Sequence, residues 1–198
     1  MRAAVLLMIP LAACTPDILS GSYFCGPEQL CPEGQACNGP DNRCVLASQV
    51  MPFACTPKVE FEPDDTPAQA HVLEDLGCVS LVFNHQQCMP TGDTADWIEF
   101  APPPICSSGV EVQVRLTFPI AFEQLGFELW DLDRDMKVAA DGECELAATT
   151  DDVRRCLDFE LVPGTRYGVK VHPTGEGACD GACNYNRYSL SVQLATPG

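Results

Sequence analysis

Apolar and polar side chains alternate most regularly in residues 110–118, where every second residue is apolar and the others are Glu, Gln, Arg and Thr. Successive side chains of a β-strand point to opposite faces, so this period of two predicts a strand with one buried face. Residues 157–161, 167–172 and 188–194 show the same period. Four half-buried strands are therefore expected in the second half of the chain.

Shorter apolar runs at residues 79–83, 97–100 and 127–132 bring the total to about seven predicted strands. Turn-forming residues separate them, as at Pro163-Gly164-Thr165 and Asp141-Gly142. This spacing predicts an all-β fold, an antiparallel jelly-roll-like β-sandwich. A helix is expected only in residues 66–75, where Thr66 could cap the first turn.

Residues 14–54 differ from this pattern and form a separate, loop-dominated cysteine-rich module in our interpretation. Gly, Pro and Asn separate its cysteines, and apolar periodicity is almost absent, so the segment cannot build a hydrophobic core. The four cysteines that follow Cys14 in this module allow three pairings. The spacing resembles the interleaved pattern of small growth-factor-like modules, and this resemblance favours Cys25–Cys37 and Cys31–Cys44.

Residues 1–13 have the layout of a secretory signal peptide, with Arg2 before a short apolar run. Leu11-Ala12-Ala13-Cys14 resembles the lipobox of bacterial lipoproteins, which implies a lipid on Cys14. The alternative is an ordinary secretory signal followed by an incidental cysteine. Thr15 is not the aspartate associated with inner-membrane retention, so we expect an outer-membrane lipoprotein, on its periplasmic or cell-surface side.

The cysteine count and the charge agree with export. Of the 13 cysteines, 12 remain if Cys14 carries lipid, an even number that can pair in an oxidising compartment. A net charge of −17 repels phosphate backbones and argues against nucleic acid as a partner. Zinc is disfavoured because no two cysteines have the two-residue spacing of a zinc ribbon.

Five sequence blocks in residues 55–198 resemble the bacterial pre-peptidase C-terminal domain. They are residues 62–70 (EPDDTPAQA), 92–100 (GDTADWIEF), 127–131 (FELWD), 161–171 (LVPGTRYGVKV) and 188–192 (YSLSV). The resemblance covers roughly residues 58–196 and implies a jelly-roll β-sandwich. The chain departs from the usual setting of this domain because it has no peptidase domain and many cysteines.

Two of these blocks, together with Glu60 just before the first, carry a set of acidic residues. The set comprises Glu60, Glu62, Asp64, Asp65, Asp93 and Asp96. If the fold brings both groups together, like charges raise one another's pKa unless a hard cation neutralises them. The related collagen-binding domains of collagenases have a Glu-x-Glu-x-Asn-Asp segment and an Asp-x-x-Asp turn that bind calcium, which implies a calcium site here, although Asp64 replaces the asparagine. The alternative is a solvated acidic face.

Two further disulfides are expected outside the cysteine-rich module. Cys179 and Cys183 enclose a short loop, and Cys144 with Cys156 would staple the polar loop between two strands. Trp97 and Trp130 are interpreted as core or half-buried strand residues, so the resemblance is not extended to collagen binding.

Enzyme signatures are absent from the sequence: there is no His-Glu-x-x-His and no Gly-x-Ser-x-Gly. We therefore expect a non-catalytic binding or adhesion protein, held at the membrane by its lipid, with a protein or glycan ligand. Two alternatives stay open, an accessory subunit of an envelope assembly and a secreted hydrolase whose site is assembled from distant residues.

Overall fold

A computed structural model describes residues 18–25, 30–39, 42–51, 61–74, 76–89, 93–106, 109–119, 123–144, 152–177 and 186–195. Twelve β-strands form in these ranges, which confirms the predicted all-β class. None of the described residues belongs to a helix that is long and apolar enough to cross a membrane.

The cysteine-rich module contains one antiparallel hairpin, formed by β1 (Gln35–Asn38) and β2 (Arg43–Leu46). A short 3-10 turn, Ala47–Gln49, follows. Disulfides join Cys25 to Cys37 and Cys31 to Cys44, the pairing that the sequence favours. Each bond links the hairpin to the chain that precedes it, so the module is held mainly by crosslinks.

Ten further strands form the β-sandwich. They are β3 (His71–Val72), β4 (Ser80–Met89), β5 (Asp96–Phe100), β6 (Val110–Pro119), β7 (Glu123–Asp131), β8 (Met136–Ala140), β9 (Gly142–Glu143), β10 (Asp152–Leu161), β11 (Tyr167–Gly177) and β12 (Asn186–Ala195). One sheet has the order β4-β12-β6-β10-β9, and the other has the order β3-β5-β11-β7-β8. Neighbouring strands are antiparallel, except that β3 is parallel to β5.

The core lies between the two sheets and follows from the alternation in the sequence. Along β6 the apolar residues are buried and the polar residues between them are half-buried, from Val110 to Phe118. They pack in one cluster with Phe127 of β7, Val169 of β11 and Leu190 of β12. Burial of apolar surface is therefore the main stabilising contribution in this part of the chain.

The helix expected in residues 66–75 is wrong. Gln69 N donates to Thr66 O at 2.9 Å, which closes a turn, and His71 and Val72 then form β3 beside β5. A helix this short is marginal without tertiary support, whereas pairing with β5 satisfies the backbone directly. The local capping signal of Thr66 therefore yields to sheet formation.

Disulfides also join the sandwich strands and loops. Cys144 is bonded to Cys156, as the spacing suggests, at the β9–β10 edge. Cys78 is bonded to Cys106 across a separation of 28 residues, a pairing that the sequence did not indicate. Cys179 and Cys183, the other expected pair, lie outside the described residues.

Candidate metal centre

Two segments of the chain bring carboxylates to the beginning of β5. Asp93 and Asp96 precede and open this strand, while Asp64 and residues 71–73 make backbone contacts with it. Trp97 N donates to Asp64 O at 2.9 Å, and Leu73 N donates to Glu99 O at 2.8 Å. These backbone bonds hold the first acidic segment against the second.

The carboxylates meet at close range. One oxygen from each of Glu62, Asp93 and Asp96 lies within 4.8 Å of the other two. Asp64 interacts with Glu62, and the side chain of Asp65 interacts with Asp93. The structure thus brings together five of the six acidic residues that the sequence singled out, and the sixth, Glu60, lies outside the described residues.

Burial sets this cluster apart from an ordinary acidic surface. Asp64 is only 3% exposed and Asp96 only 4%. Three carboxylate oxygens are buried without a hydrogen-bond partner among the described residues: Oδ1 of Asp64, Oδ1 of Asp93 and Oδ1 of Asp96. A buried carboxylate oxygen without a partner is costly, and such atoms in a folded protein call for a ligand or a proton.

The electrostatics of the cluster follow from this burial. Desolvation raises the pKa of Asp64 to about 7, and the charges of Glu62, Asp93 and Asp65 act in the same direction. Burial also raises the pKa of Asp93 well above its usual range, with Asp96 as the next contributor. Near neutral pH, the cluster therefore holds either protons or a cation in the folded state.

Tyr188 is the additional functional residue that sequence reasoning missed. It lies on β12 in the opposite sheet, is buried, and its hydroxyl donates a hydrogen bond to Asp96 Oδ2. Burial raises the pKa of Asp96, and this hydrogen bond acts in the opposite direction by stabilising the carboxylate. Tyr188 thus satisfies one oxygen of Asp96 and leaves Oδ1 available to the cluster.

Tyr188 also remains a proton donor in this contact. Burial and the neighbouring charge of Asp96 raise the pKa of the Tyr188 phenol well above its ordinary value. The only signal in the sequence was its apolar-face position in the alternation of residues 188–194, which marks an inward side chain but not its neighbour.

The donor set fits a hard cation. Carboxylate oxygens are the ligands that Ca²⁺ prefers, in sites of six to eight oxygens with flexible geometry. Glu62, Asp64, Asp93 and Asp96 could supply several of these ligands, and their unpartnered oxygens would gain a partner. Among the residues that the structure describes, no histidine or thiol belongs to this oxygen cluster, which differs from the nitrogen and sulfur ligands typical of zinc sites.

The side chains of the two tryptophans make their contacts outside the carboxylate cluster. Trp97 is buried, and its ring packs edge-to-face on Trp130 with centroids 5.8 Å apart. Lys170 Nζ lies 5.8 Å from the Trp97 ring centroid, and the Trp130 indole donates to Glu128 at 3.0 Å. These are packing interactions between neighbouring strands of the β5-β11-β7 sheet, in which Trp97 is buried and Trp130 half-buried.

No protein-family model matches the chain, and no curated protein matches it. Among solved structures, the chain is similar to the crystal structure of the pre-peptidase C-terminal domain of collagenase from Bacillus anthracis. The TM-score is 0.42 and the identity 18%, over 62% of this chain and 93% of that chain. The β-sandwich fold follows from the two sheets and the core of this chain and does not depend on this similarity.

Proposed function

We propose that this chain is a non-catalytic, lipid-anchored extracytoplasmic binding or adhesion protein whose β-sandwich is stabilised by a calcium ion. The observation that supports the calcium is the set of buried, unpartnered carboxylate oxygens on Asp64, Asp93 and Asp96. Its ligand, a protein or a glycan, binds without being chemically altered.

Burial favours a cation over a solvated acidic face. Solvated carboxylates keep their hydration and their ordinary pKa, whereas Asp64 and Asp96 are almost completely removed from water. Several carboxylates so close together repel one another unless a positive charge lies between them. A cation would offset both the repulsion and the lost hydration.

Calcium suits the cluster better than magnesium does. Magnesium demands near-ideal octahedral geometry and gives up its water reluctantly, whereas calcium accepts irregular cages made of protein oxygens. The carboxylates here come from a turn and from the start of a strand, which is an irregular arrangement. The ion would tie residues 62–65 to the beginning of β5.

The raised pKa values also suggest a second function, because general acids of glycoside hydrolases have raised pKa values. Accessibility weighs against it, since a sugar ring would have to contact carboxylates that are nearly fully buried at Asp64 and Asp96. A single ion needs far less space. A glycosidase activity of the purified protein that Asp93→Asn abolishes would favour the hydrolase.

Thermal unfolding with and without calcium tests the metal site. Metal bound only to the folded state stabilises it, by about 2.7 kcal/mol at 100 times the dissociation constant. For a chain of this size we expect the melting midpoint to rise by roughly 5–10 °C in millimolar calcium compared with chelator.

Two matched variants sharpen this experiment. Glu62→Gln removes a carboxylate of the cluster, and Glu143→Gln makes the same change at an exposed residue of β9. We expect calcium to raise the midpoint of Glu143→Gln as it does for the wild type, and to have little effect on Glu62→Gln. An unchanged wild-type midpoint in millimolar calcium would refute the metal site.

The lipid anchor is supported by Leu11-Ala12-Ala13-Cys14, and mass spectrometry of the amino-terminal peptide tests it. An acylated Cys14, lost in Cys14→Ala, is the expected result.

A pull-down from envelope extract separates a binding protein from an accessory subunit, because only the subunit brings down a stoichiometric envelope protein.

A further inference from the structure

Three exposed apolar side chains lie at one end of the cysteine-rich module. Leu19 is 70% exposed, Leu46 is 48% exposed and Ile18 is 42% exposed. We call these three residues the apolar end of the module. The module exposes other large apolar side chains too, but these three belong to segments that hydrogen-bond at the Gln35–Leu46 end of the hairpin, and apolar side chains exposed in one place indicate a contact surface.

Hydrogen bonds hold the apolar end together. Gln35 Nε2 donates to Ile18 O at 2.9 Å, and Gln35 is the cross-strand partner of Leu46. Leu46 N donates to Ser20 Oγ at 3.3 Å, and Ser20 Oγ donates to Gln49 Oε1 at 2.6 Å. The segment that enters the module is therefore fixed across the end of the hairpin.

The described groups that hydrogen-bond at the apolar end are polar but uncharged. Ser20, Gln35 and Gln49 make the bonds just described, and Glu33 and Arg43 are the only charged residues that the structure describes in the module. Arg43 is engaged with the module itself, because its Nη1 donates to Gly21 O at 3.0 Å. The described part of this end thus combines apolar side chains with neutral amides and hydroxyls in a chain with a net charge of −17, and Asp17, which precedes Ile18, lies outside the described residues.

The position of Cys14 points to a membrane as the partner of the apolar end. Ile18 is the fourth residue after Cys14, and four residue steps span at most about 14 Å even when fully extended. A lipid on Cys14 therefore keeps the apolar end within that distance of the bilayer surface. We propose that the apolar end inserts into the headgroup and upper acyl region of the membrane that holds the anchor.

This inference rests on the proposed lipid anchor and goes beyond it. Leucine and isoleucine side chains at the interface gain by leaving water, and neutral serine and glutamine groups are tolerated among the headgroups. The contact is apolar, so it does not require anionic lipid and is expected to persist at high salt. It would also fix the orientation of the module on the membrane instead of leaving it to swing on its anchor.

Fluorescence quenching by brominated phosphatidylcholine tests the contact in the acylated, full-length mature protein bound to vesicles. Leu19→Trp places a reporter in the apolar end. Met51→Trp is the matched control, because Met51 is 55% exposed and its N donates to Asn38 Oδ1 at the opposite end of β1, about 10 Å away. Wild-type protein provides the background of Trp97 and Trp130.

We expect brominated lipid to quench the added emission of Leu19→Trp at least threefold more than that of Met51→Trp, in 0.1 M and in 1 M salt alike. Equal quenching of the two reporters, with the protein still floating with the vesicles, would overturn the membrane contact alone. Blue-shifted Leu19→Trp emission without quenching would overturn it in favour of a second copy of the chain. Failure to float with vesicles would remove the anchor and the contact together.

Discussion

The cysteine-rich module and the β-sandwich are stabilised by different means. In the described residues of the module, the buried hydrophobic residues are Cys25, Cys44 and Val45. In the sandwich, 21 buried residues pack in a single cluster between two five-stranded sheets. Crosslinks replace a core in the first region, whereas in the second a core carries the fold and disulfides reinforce it.

This difference follows from size and composition. A segment of a few tens of residues buries too small a fraction of its surface to offset the entropy of the chain, and covalent loops reduce that entropy in the unfolded state. The sandwich has long amphipathic strands that bury one face each. The two regions should therefore respond differently to the same kind of damage.

The largest expected effect is a core substitution in the sandwich. Phe127 is fully buried between the sheets, so Phe127→Ala should lower the free energy of unfolding of the sandwich by about 3–5 kcal/mol. Urea denaturation followed by amide hydrogen exchange measures this loss. If the amides of β1 and β2 lost protection at the same urea concentration, the two regions would be one cooperative unit and the comparison would fail.

Removal of a module disulfide comes next. Cys25→Ser with Cys37→Ser opens a loop of 12 residues, which costs about 3 kcal/mol, and the module has little buried surface to offset it. We expect the amides of β1 and β2 to lose their exchange protection. The matched double variant, Cys144→Ser with Cys156→Ser, opens an equal loop in the sandwich and should leave the protection of β6 and β12 intact.

The carboxylate cluster should give the sandwich an unusual pH dependence when calcium is absent. The pKa of Asp64 is raised to about 7 in the folded state from 3.8, so the folded state binds more protons than the unfolded chain between these values. Stability is therefore highest at the acidic end of this window and decreases as the pH rises towards 7. We expect the melting midpoint in chelator to fall by at least about 5 °C between pH 5 and pH 8.

Calcium should reverse this trend, because it binds the deprotonated carboxylates and stabilises the folded state more as the pH rises. Asp64→Asn removes the charge permanently and should melt higher than the wild type in chelator at pH 8, while responding less to calcium. A wild-type midpoint in chelator that rises from pH 5 to pH 8 would contradict the burial of the cluster.

The smallest expected effect concerns a surface ion pair at the margin of the sandwich. Arg166 donates two hydrogen bonds to Glu99, at 2.7 Å and 3.0 Å, and also lies 3.8 Å from Asp133. The arginine is half exposed, so Arg166→Ala should cost only about 0.5–1 kcal/mol, and less at high salt. A loss above 2 kcal/mol in urea denaturation would show that peripheral charges contribute as much as the core does.

Strands with one buried face could be predicted from the sequence because burial on one side imposes a period of two. Residues 110–118 were predicted as a strand, and β6 covers Val110–Pro119. The edge strands β3, β8 and β9 were missed, since strands that are short or largely exposed at both faces leave no alternation to find.

The sequence by itself was enough to predict the all-β fold class, the need for disulfides in the cysteine-rich module and the acidic residues of the cluster. Only the tertiary structure decided that Asp64 and Asp96 are buried, that Cys78 pairs with Cys106, and that Tyr188 meets Asp96 across 92 residues. The physical reason is that periodicity records which face a side chain occupies, a property of neighbours along the chain. Which side chains of two different sheets meet depends on how those sheets pack, and no local pattern records that.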